Sequence, residues 1–285
     1  MTVVSGQIGG IAMVTIAAAS WGTWSLFLRP TGLPGSVAAP LVFLLMAVFA
    51  APLALRDPKT PTWDRSAVVW LAAYIVFDAL NLVCFFGAID TTTVALAVLS
   101  HYLAPMIVAI AAPHVDGVRV PGAWIAALVA LAGLVIVLEP WREPPRGAVL
   151  GVALGASSAV CYAGNVFCLR RVAQKLGPSR AMALHALGAG LLLLPFGITA
   201  FDRITPSGFA YLAVGAATLG ALSGIVYAIG LVRIGSARAA ILAFVEPVVA
   251  VVCGILAYGE PFSPLSLVGA ALILAAGIHV ARQKG

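Results

Sequence analysis

Ten apolar runs of about 20 residues follow one another along the chain, at roughly 8–28, 34–55, 66–87, 91–112, 118–138, 147–169, 179–200, 207–231, 237–257 and 263–281. Each is long enough to cross a hydrocarbon layer of about 30 Å as a helix. A backbone inside lipid has no water to bond, so each span must satisfy its own amides. Unbroken runs rather than alternating ones exclude a barrel. With 62% hydrophobic and 9% charged residues among 285, little is left over for a water-soluble domain. The expected fold is an all-α polytopic membrane protein of ten transmembrane helices, numbered helix 1 to helix 10 in chain order.

The opening MTVVSGQ carries no Lys or Arg, and the run after it is too long for the apolar core of a cleaved signal, so helix 1 is expected to stay. With the N-terminus inside, twelve of the sixteen Lys and Arg, Lys284 among them, fall on the cytoplasmic side. Arg29, Arg142, Arg146 and Arg203 fall on the other. That asymmetry places both termini in the cytoplasm. It also explains the net charge of +6 without a nucleic-acid partner. The Ala-, Gly- and Arg-rich composition suggests a bacterial inner membrane. Cys84, Cys161, Cys168 and Cys253 all lie inside spans, without a C-x-x-C pair or a histidine at ligand spacing, and read as small core residues.

The chain repeats itself. SWGTWSLFLR (20–29) matches CYAGNVFCLR (161–170), and VALAVLSHYLAPMIVAI (94–110) matches ARAAILAFVEPVVAVVC (237–253), at a common offset of about 142 residues. Five spans per half is an odd number, so the second half must enter the membrane from the opposite side. The expected organisation is two inverted five-helix repeats, 1–141 and 142–285, around a central cavity, as in secondary transporters.

At this level of detail the chain resembles the drug/metabolite transporter superfamily, in its ten-helix form with two EamA-type domains. The resemblance spans the whole chain. It rests on Trp21-Gly22 in helix 1, Gly87-Ala88 at the exit of helix 3, the Pro105 region of helix 4, Val245-Glu246-Pro247 in helix 9 and Gly259-Glu260 after it. It implies a cavity lined by helices 1, 3, 4, 6, 8 and 9, with helices 5 and 10 peripheral. It also implies export of small metabolites such as amino acids, nucleosides or toxic cations. Ala104 stands where helix 9 has Glu246, so any role of that carboxyl belongs to one half.

Pro105 and Pro247 cannot donate to the carbonyls of His101 and Ala243, which gives helices 4 and 9 a bendable point at equivalent depth. They are read either as hinges or as static kinks. Glu246 is an ionisable group near the bilayer centre, costing about 3 kcal/mol to insert. Three roles stay open for it: bonding backbone freed at the kink, carrying a coupling proton, or balancing a cationic substrate.

Trp21, Tyr74, Asp78, Asn81, His101, Tyr102, Tyr162 and Asn165 are the other expected substrate contacts. Tyr74, Asp78 and Asn81 share one helical face, and Tyr162 and Asn165 occupy in helix 6 the positions that Trp21 and Trp24 hold in helix 1. For Asp78 the plainer reading is a helix–helix hydrogen bond, for Trp24 an interfacial anchor, and for His185 in helix 7 a structural group.

None of the sixteen Lys and Arg lies near the centre of a span, which disfavours phosphorylated substrates. A small molecule with an ammonium, an amide or an aromatic ring fits better. Export of neutral or aromatic amino acids by alternating access is the first reading, proton-coupled export of cationic or amphipathic drugs the second, and a passive channel the third. Neither a catalytic nor a phosphate-loop motif is present, so no enzymatic activity, cofactor or metal is expected. The expected partners are a small-molecule substrate and the lipid bilayer, with proton coupling left open and no nucleic acid. Monomer and homodimer stay open.

Overall fold

The computed structural model describes residues 2–142, 147–261 and 263–283; Arg146 and Lys284, which entered the charge count, lie outside them. Ten helices are long and apolar enough to cross a membrane: Gly6–Thr31, Gly35–Leu55, Arg65–Thr91, Val94–Val115, Ala123–Arg142, Ala148–Leu176, Pro178–Gly197, Pro206–Ile234, Ser236–Tyr258 and Pro264–Arg282. They are helices 1 to 10 of the sequence reading, and the molecule is an all-α polytopic membrane protein.

Their boundaries follow local chemistry. Asp64, Thr93 and Thr205 cap helices 3, 4 and 8 by accepting from the backbone N–H three residues on, at 2.6, 3.3 and 3.0 Å. Pro178, Pro206 and Pro264 stand in the first turns of helices 7, 8 and 10, where a missing N–H costs nothing. Helices 6 and 7, and helices 8 and 9, are joined by single glycines, Gly177 and Gly235. Their φ values of +97° and +83° are ones that side chains resist.

Packing pairs helix 1 with 8, 2 with 7, 3 with 6, and 5 with 10, while the second half of helix 4 meets the first turns of helix 9. Lipid is as apolar as leucine, so helices in a bilayer gain most by close backbone approach at small residues. Helix 5 presents Ala123, Ala126, Ala127, Ala130 and Gly133 as a buried stripe. A Cβ on Gly133 would lie 2.6 Å from the Gly269 carbonyl of helix 10, and one on Gly269 would lie 2.4 Å from that of Gly133. Large apolar side chains such as Phe196, Leu256 and Leu267 are exposed on the outer surface, where lipid covers them.

Four helices are interrupted at mid-depth: helix 1 by a turn at 22–24, helix 4 at 102–103, helix 9 at 243–244, and helix 8 by a π-helical stretch, Ala216–Leu222. The breaks in helices 4 and 9 precede Pro105 and Pro247. In helix 9 the structure corrects one expectation. The Ala243 carbonyl is not left free but accepts from the Glu246 N–H at 3.0 Å, so the turn tightens instead of opening.

One end of the bundle is tied shut by carboxylates. Asp57 accepts from Ser179 N–H at 2.9 Å, at the start of helix 7, and Arg180 donates to the Asp57 carbonyl at 3.2 Å. Asp116 pairs with Arg170 at 2.9 Å and accepts from Ser236 N–H at 3.3 Å, at the start of helix 9. Lys175 reaches Asp64 at 2.6 Å, and this hydrogen bond holds the Asp64 carboxyl below its usual range. At the opposite end Arg29 pairs with Glu260 at 2.7 Å and lies 4.3 Å above the Tyr258 ring.

Gly269→Ala is expected to destabilise the protein by about 1–3 kcal/mol, because a methyl group must push two backbones apart. Gly277→Ala, on the same helix with its nearest neighbour at 3.6 Å, is expected to be neutral within about 0.5 kcal/mol. Melting curves of the two variants in detergent check the contrast.

Candidate functional site

The mid-depth breaks surround a cavity of about 510 Å³. Its wall reaches Leu28, Gly35 and Phe86 toward the Arg29 end but stops at Leu169, Met182 and Tyr227 on the other side, above the carboxylate ties. The cavity is thus deep from one end and sealed at the other. Helices 1, 3, 4, 6, 8 and 9 line it as expected, and helices 5 and 10 supply no lining residue among those described. Helices 2 and 7 also line it, through Phe43 and Met46 and through Met182 and His185. The six-helix expectation is corrected on this point. The six-helix lining is what the family resemblance implied, and the sequence offers no polar face to amend it: helix 2 carries only Ser36, and helix 7 beyond its first turn only His185.

All nine expected substrate contacts, Trp21, Tyr74, Asp78, Asn81, His101, Tyr102, Tyr162, Asn165 and Glu246, lie in this wall, as do Pro105 and Trp24. Pro247 is buried one residue past Glu246 and lies outside it. Trp24, read as an interfacial anchor, packs against Gly215 of helix 8 instead.

Two polar clusters organise the wall. In the first, Asp78 accepts from the Asn165 amide, and its other oxygen lies 2.6 Å from His185 Nε2. The Tyr74 ring stacks on His185 at 3.8 Å. In the second, Ser158 donates to Asn81 Oδ1 at 2.7 Å and lies 2.7 Å from His101 Nδ1. The hydroxyl has one proton and gives it to Asn81, so His101 donates from Nδ1.

Glu246 sits apart from both clusters, with Tyr102, Tyr162 and Tyr227 around it. It is held there by the backbone. A Cβ on Gly22 would come within 2.5 Å of the Glu246 carbonyl, so the break in helix 1 presses directly on the break in helix 9. The Trp21 indole donates to the Leu219 carbonyl at 2.9 Å, a group that lies within the π-helical stretch. That bond locks the Trp21 ring 4.9 Å from Tyr227.

Sequence reasoning passed over three groups. His185, taken as structural, is a cavity residue that pairs with Asp78; an ionisable side chain inside a span was signal enough. Ser158 stands four and seven residues before Tyr162 and Asn165, on the same face of helix 6, and that spacing could have found it. Tyr227 has a single polar companion at helical spacing, Ser223 four residues before it, too little to mark a face of helix 8. Among the described residues no group of three His, Cys, Asp or Glu forms a metal site.

Residues 149–281 match the EamA-like transporter family. An uncharacterized transporter of Archaeoglobus fulgidus is 32% identical, with 96% of this chain and 97% of that one aligned. The chain belongs to the EamA-like transporter family. The threonine/homoserine exporter RhtA of Escherichia coli K12 is 25% identical over 94% of this chain and 88% of its own length. A protein of known crystal structure superposes with a TM-score of 0.80, at 21% identity, covering 96% of this chain and 97% of that one, and so shares the fold. As an EamA-family member the protein is a multi-pass transporter of small molecules, and in this cavity polar groups from many helices converge.

Ser158→Ala would leave the Asn81 carbonyl oxygen and the His101 Nδ1 proton without their buried partner. A loss of stability of about 1–3 kcal/mol is expected, read as a lowered melting temperature, and Ser157→Ala, on the exposed face one residue away, should show none of it.

Proposed function

We propose that this transporter exports amino acids, neutral or aromatic, by alternating access across a bacterial inner membrane. The observation that carries the reading is the make-up of the cavity: two carboxylates, two amides, two imidazoles and a floor of tyrosines, with no Lys or Arg among the described lining residues. An α-ammonium finds its countercharge at Glu246, with the phenol rings of Tyr102, Tyr162 and Tyr227 beside it. The zwitterion's carboxylate meets hydroxyl and amide donors rather than a fixed cation. A volume of about 510 Å³ accommodates a side chain as large as an indole with room for water. The name of the Escherichia coli relative, a threonine/homoserine exporter, supports this substrate class.

Orientation follows from charge. The sealed end carries Arg170, Arg171, Lys175 and Arg180, and under the positive-inside rule that end is cytoplasmic, as are both termini. The state described is then open to the outside. We assign residues 1–141 and 142–285 to two inverted halves, which the pairing supports. Exchanging the halves turns the 1–8 contact into 6–3 and maps 2–7 and 5–10 onto themselves. Pro105 and Pro247 then occupy matched places, and their turns are where helices 4 and 9 bend as the halves rock.

Cationic amphipathic drugs are the second reading, favoured by the same lack of fixed cations. Counterflow of labelled threonine and phenylalanine in proteoliposomes tests the first. Saturable exchange is expected, with the apparent KM raised about 10- to 100-fold in Glu246→Gln, the loss of a charge-assisted bond. In the same vesicles, thiols placed by Arg29→Cys and Arg171→Cys should label from opposite faces. Flux that never saturates, exchange only of a lipophilic cation such as tetraphenylphosphonium, or same-face labelling would each overturn the corresponding part.

A further inference from the structure

We propose that the Asp78–His185 pair, not Glu246, is the proton site that couples a pH gradient to the conformational change. The proposal rests on the alternating-access reading above but not on the substrate being an amino acid.

The pair joins helix 3 to helix 7. Its two residues are 8% and 3% exposed and both line the cavity, so protons reach it from the water there. Its hydrogen-bonding positions are nearly used up. Asp78 has one oxygen on the Asn165 amide and the other on His185 Nε2. His185 Nδ1 is buried and has no partner. The ring cannot turn to find one, because Tyr74 stacks on its face and Phe43 meets it edge-on at 5.5 Å. The Nε2 proton already bridges to the carboxylate, so the packing shown fits a neutral imidazole whose Nδ1 lone pair is idle.

A second proton has one place to go on the ring, Nδ1, where it would be a buried donor with nothing to bond. An unpartnered buried donor shifts an equilibrium by on the order of 5- to 150-fold. A proton placed on Asp78 instead removes an acceptor that two donors share. A proton on Asp78 weakens the pair outright, and one on His185 Nδ1 sets a stranded buried donor against the attraction of the imidazolium for the carboxylate; where the stranding outweighs that attraction, protonation disfavours this arrangement of helices 3 and 7, and a state in which they separate relieves it. Helix 7 begins at Pro178, and the Asp57 carboxylate holds the N–H of its second residue, Ser179, at the sealed end, so a shift of helix 7 is transmitted to that seal. Protonation from the open side therefore promotes opening of the other side, which is the sign that export driven by an inward proton gradient requires.

The titratable groups facing the pair are few. Helix 3 brings Tyr74, helix 6 brings Tyr162 beside Asp78 and Cys168 beside Tyr74, and helix 8 brings Tyr227 beside Tyr74. Helix 2 contributes the Phe43 ring. Glu246 has Tyr162 as a neighbour in common with Asp78 but takes part in none of the pair's hydrogen bonds, and it keeps its own role toward the substrate's cation.

A thiol reporter at the seal tests this without any substrate. Ala237 is 4% exposed at the start of helix 9, so in a chain whose four cysteines are replaced, Ala237→Cys labels with maleimide only when the seal opens. Labelling, corrected for the reagent's own pH dependence, is expected to rise about fivefold or more as the pH falls from 8 to 5.5. The rise should vanish in Asp78→Asn and in His185→Gln, and persist in Glu246→Gln. If one of the pair variants does not fold, the other decides. A pH response that survives in the pair variants, one lost in Glu246→Gln, or no response in the parent chain overturns the proposal. Amino acid counterflow without any pH response would leave the transport reading standing while removing this one. A pH-dependent seal in a protein that exchanges no amino acid would do the reverse.

Discussion

Every backbone amide and carbonyl inside the bilayer must find a partner within the protein, and the rest of this structure depends on how four helices meet that rule while breaking. Helix 9 turns before Pro247 by passing its Ala243 carbonyl to the Glu246 N–H. Helix 8 widens into a π-helical stretch and gives the Leu219 carbonyl to the Trp21 indole. Helix 1 breaks at Gly22, where the missing Cβ lets it lie against the Glu246 carbonyl. Each irregular segment lines the cavity or rests on another that does, the arrangement that spares lipid-facing backbone from disruption. Only continuous helices, such as 5 and 10, are kept for the periphery.

The same economy governs charge. Fixed cations are confined to the ends, where Arg170, Arg180 and Arg29 hold carboxylates across loops and helix starts. The interior keeps acids, imidazoles, amides and phenols. Asp78 has both oxygens engaged, by Asn165 and His185, while Glu246 is half-buried and takes part in neither of those bonds. A carboxylate whose two oxygens are taken by donors has none left for a substrate, whereas one with an unused oxygen beside aromatic rings can meet a ligand's cation.

Much of this was legible because lipid reduces the code to a few rules. Span number and span ends follow from length, caps and prolines, and the family's motifs follow from Trp21-Gly22 and Val245-Glu246-Pro247. The polar wall was legible wherever side chains recur at helical spacing, as Tyr74, Asp78 and Asn81 do. Helix 2 escaped notice because Gly35, Ala39 and Met46 look the same whether they face lipid or a cavity; amphipathic contrast, the usual guide to burial, is lost when both environments are apolar. The π-helical stretch in helix 8 carries no proline, and its one polar side chain, Thr218, bonds back to the Val214 carbonyl as a threonine does in a regular helix, so nothing announces it. The Gly133–Gly269 contact needs both partners in view, since a lone glycine in an apolar helix has no unique meaning.

Under the proposed alternating access, substrate held in the cavity crosses only when the carboxylate-tied end opens. Thr62 N–H donates to the Lys175 carbonyl at 2.9 Å, linking the loop before helix 3 to the end of helix 6 across that seal. A reducible bis-thiol bridge between Thr62→Cys and Lys175→Cys would fix the seal shut. The bridged protein should still bind threonine or phenylalanine, read by quenching of tryptophan fluorescence, while counterflow falls to background and returns on reduction. Counterflow at the unbridged rate with the bridge intact would contradict the claim.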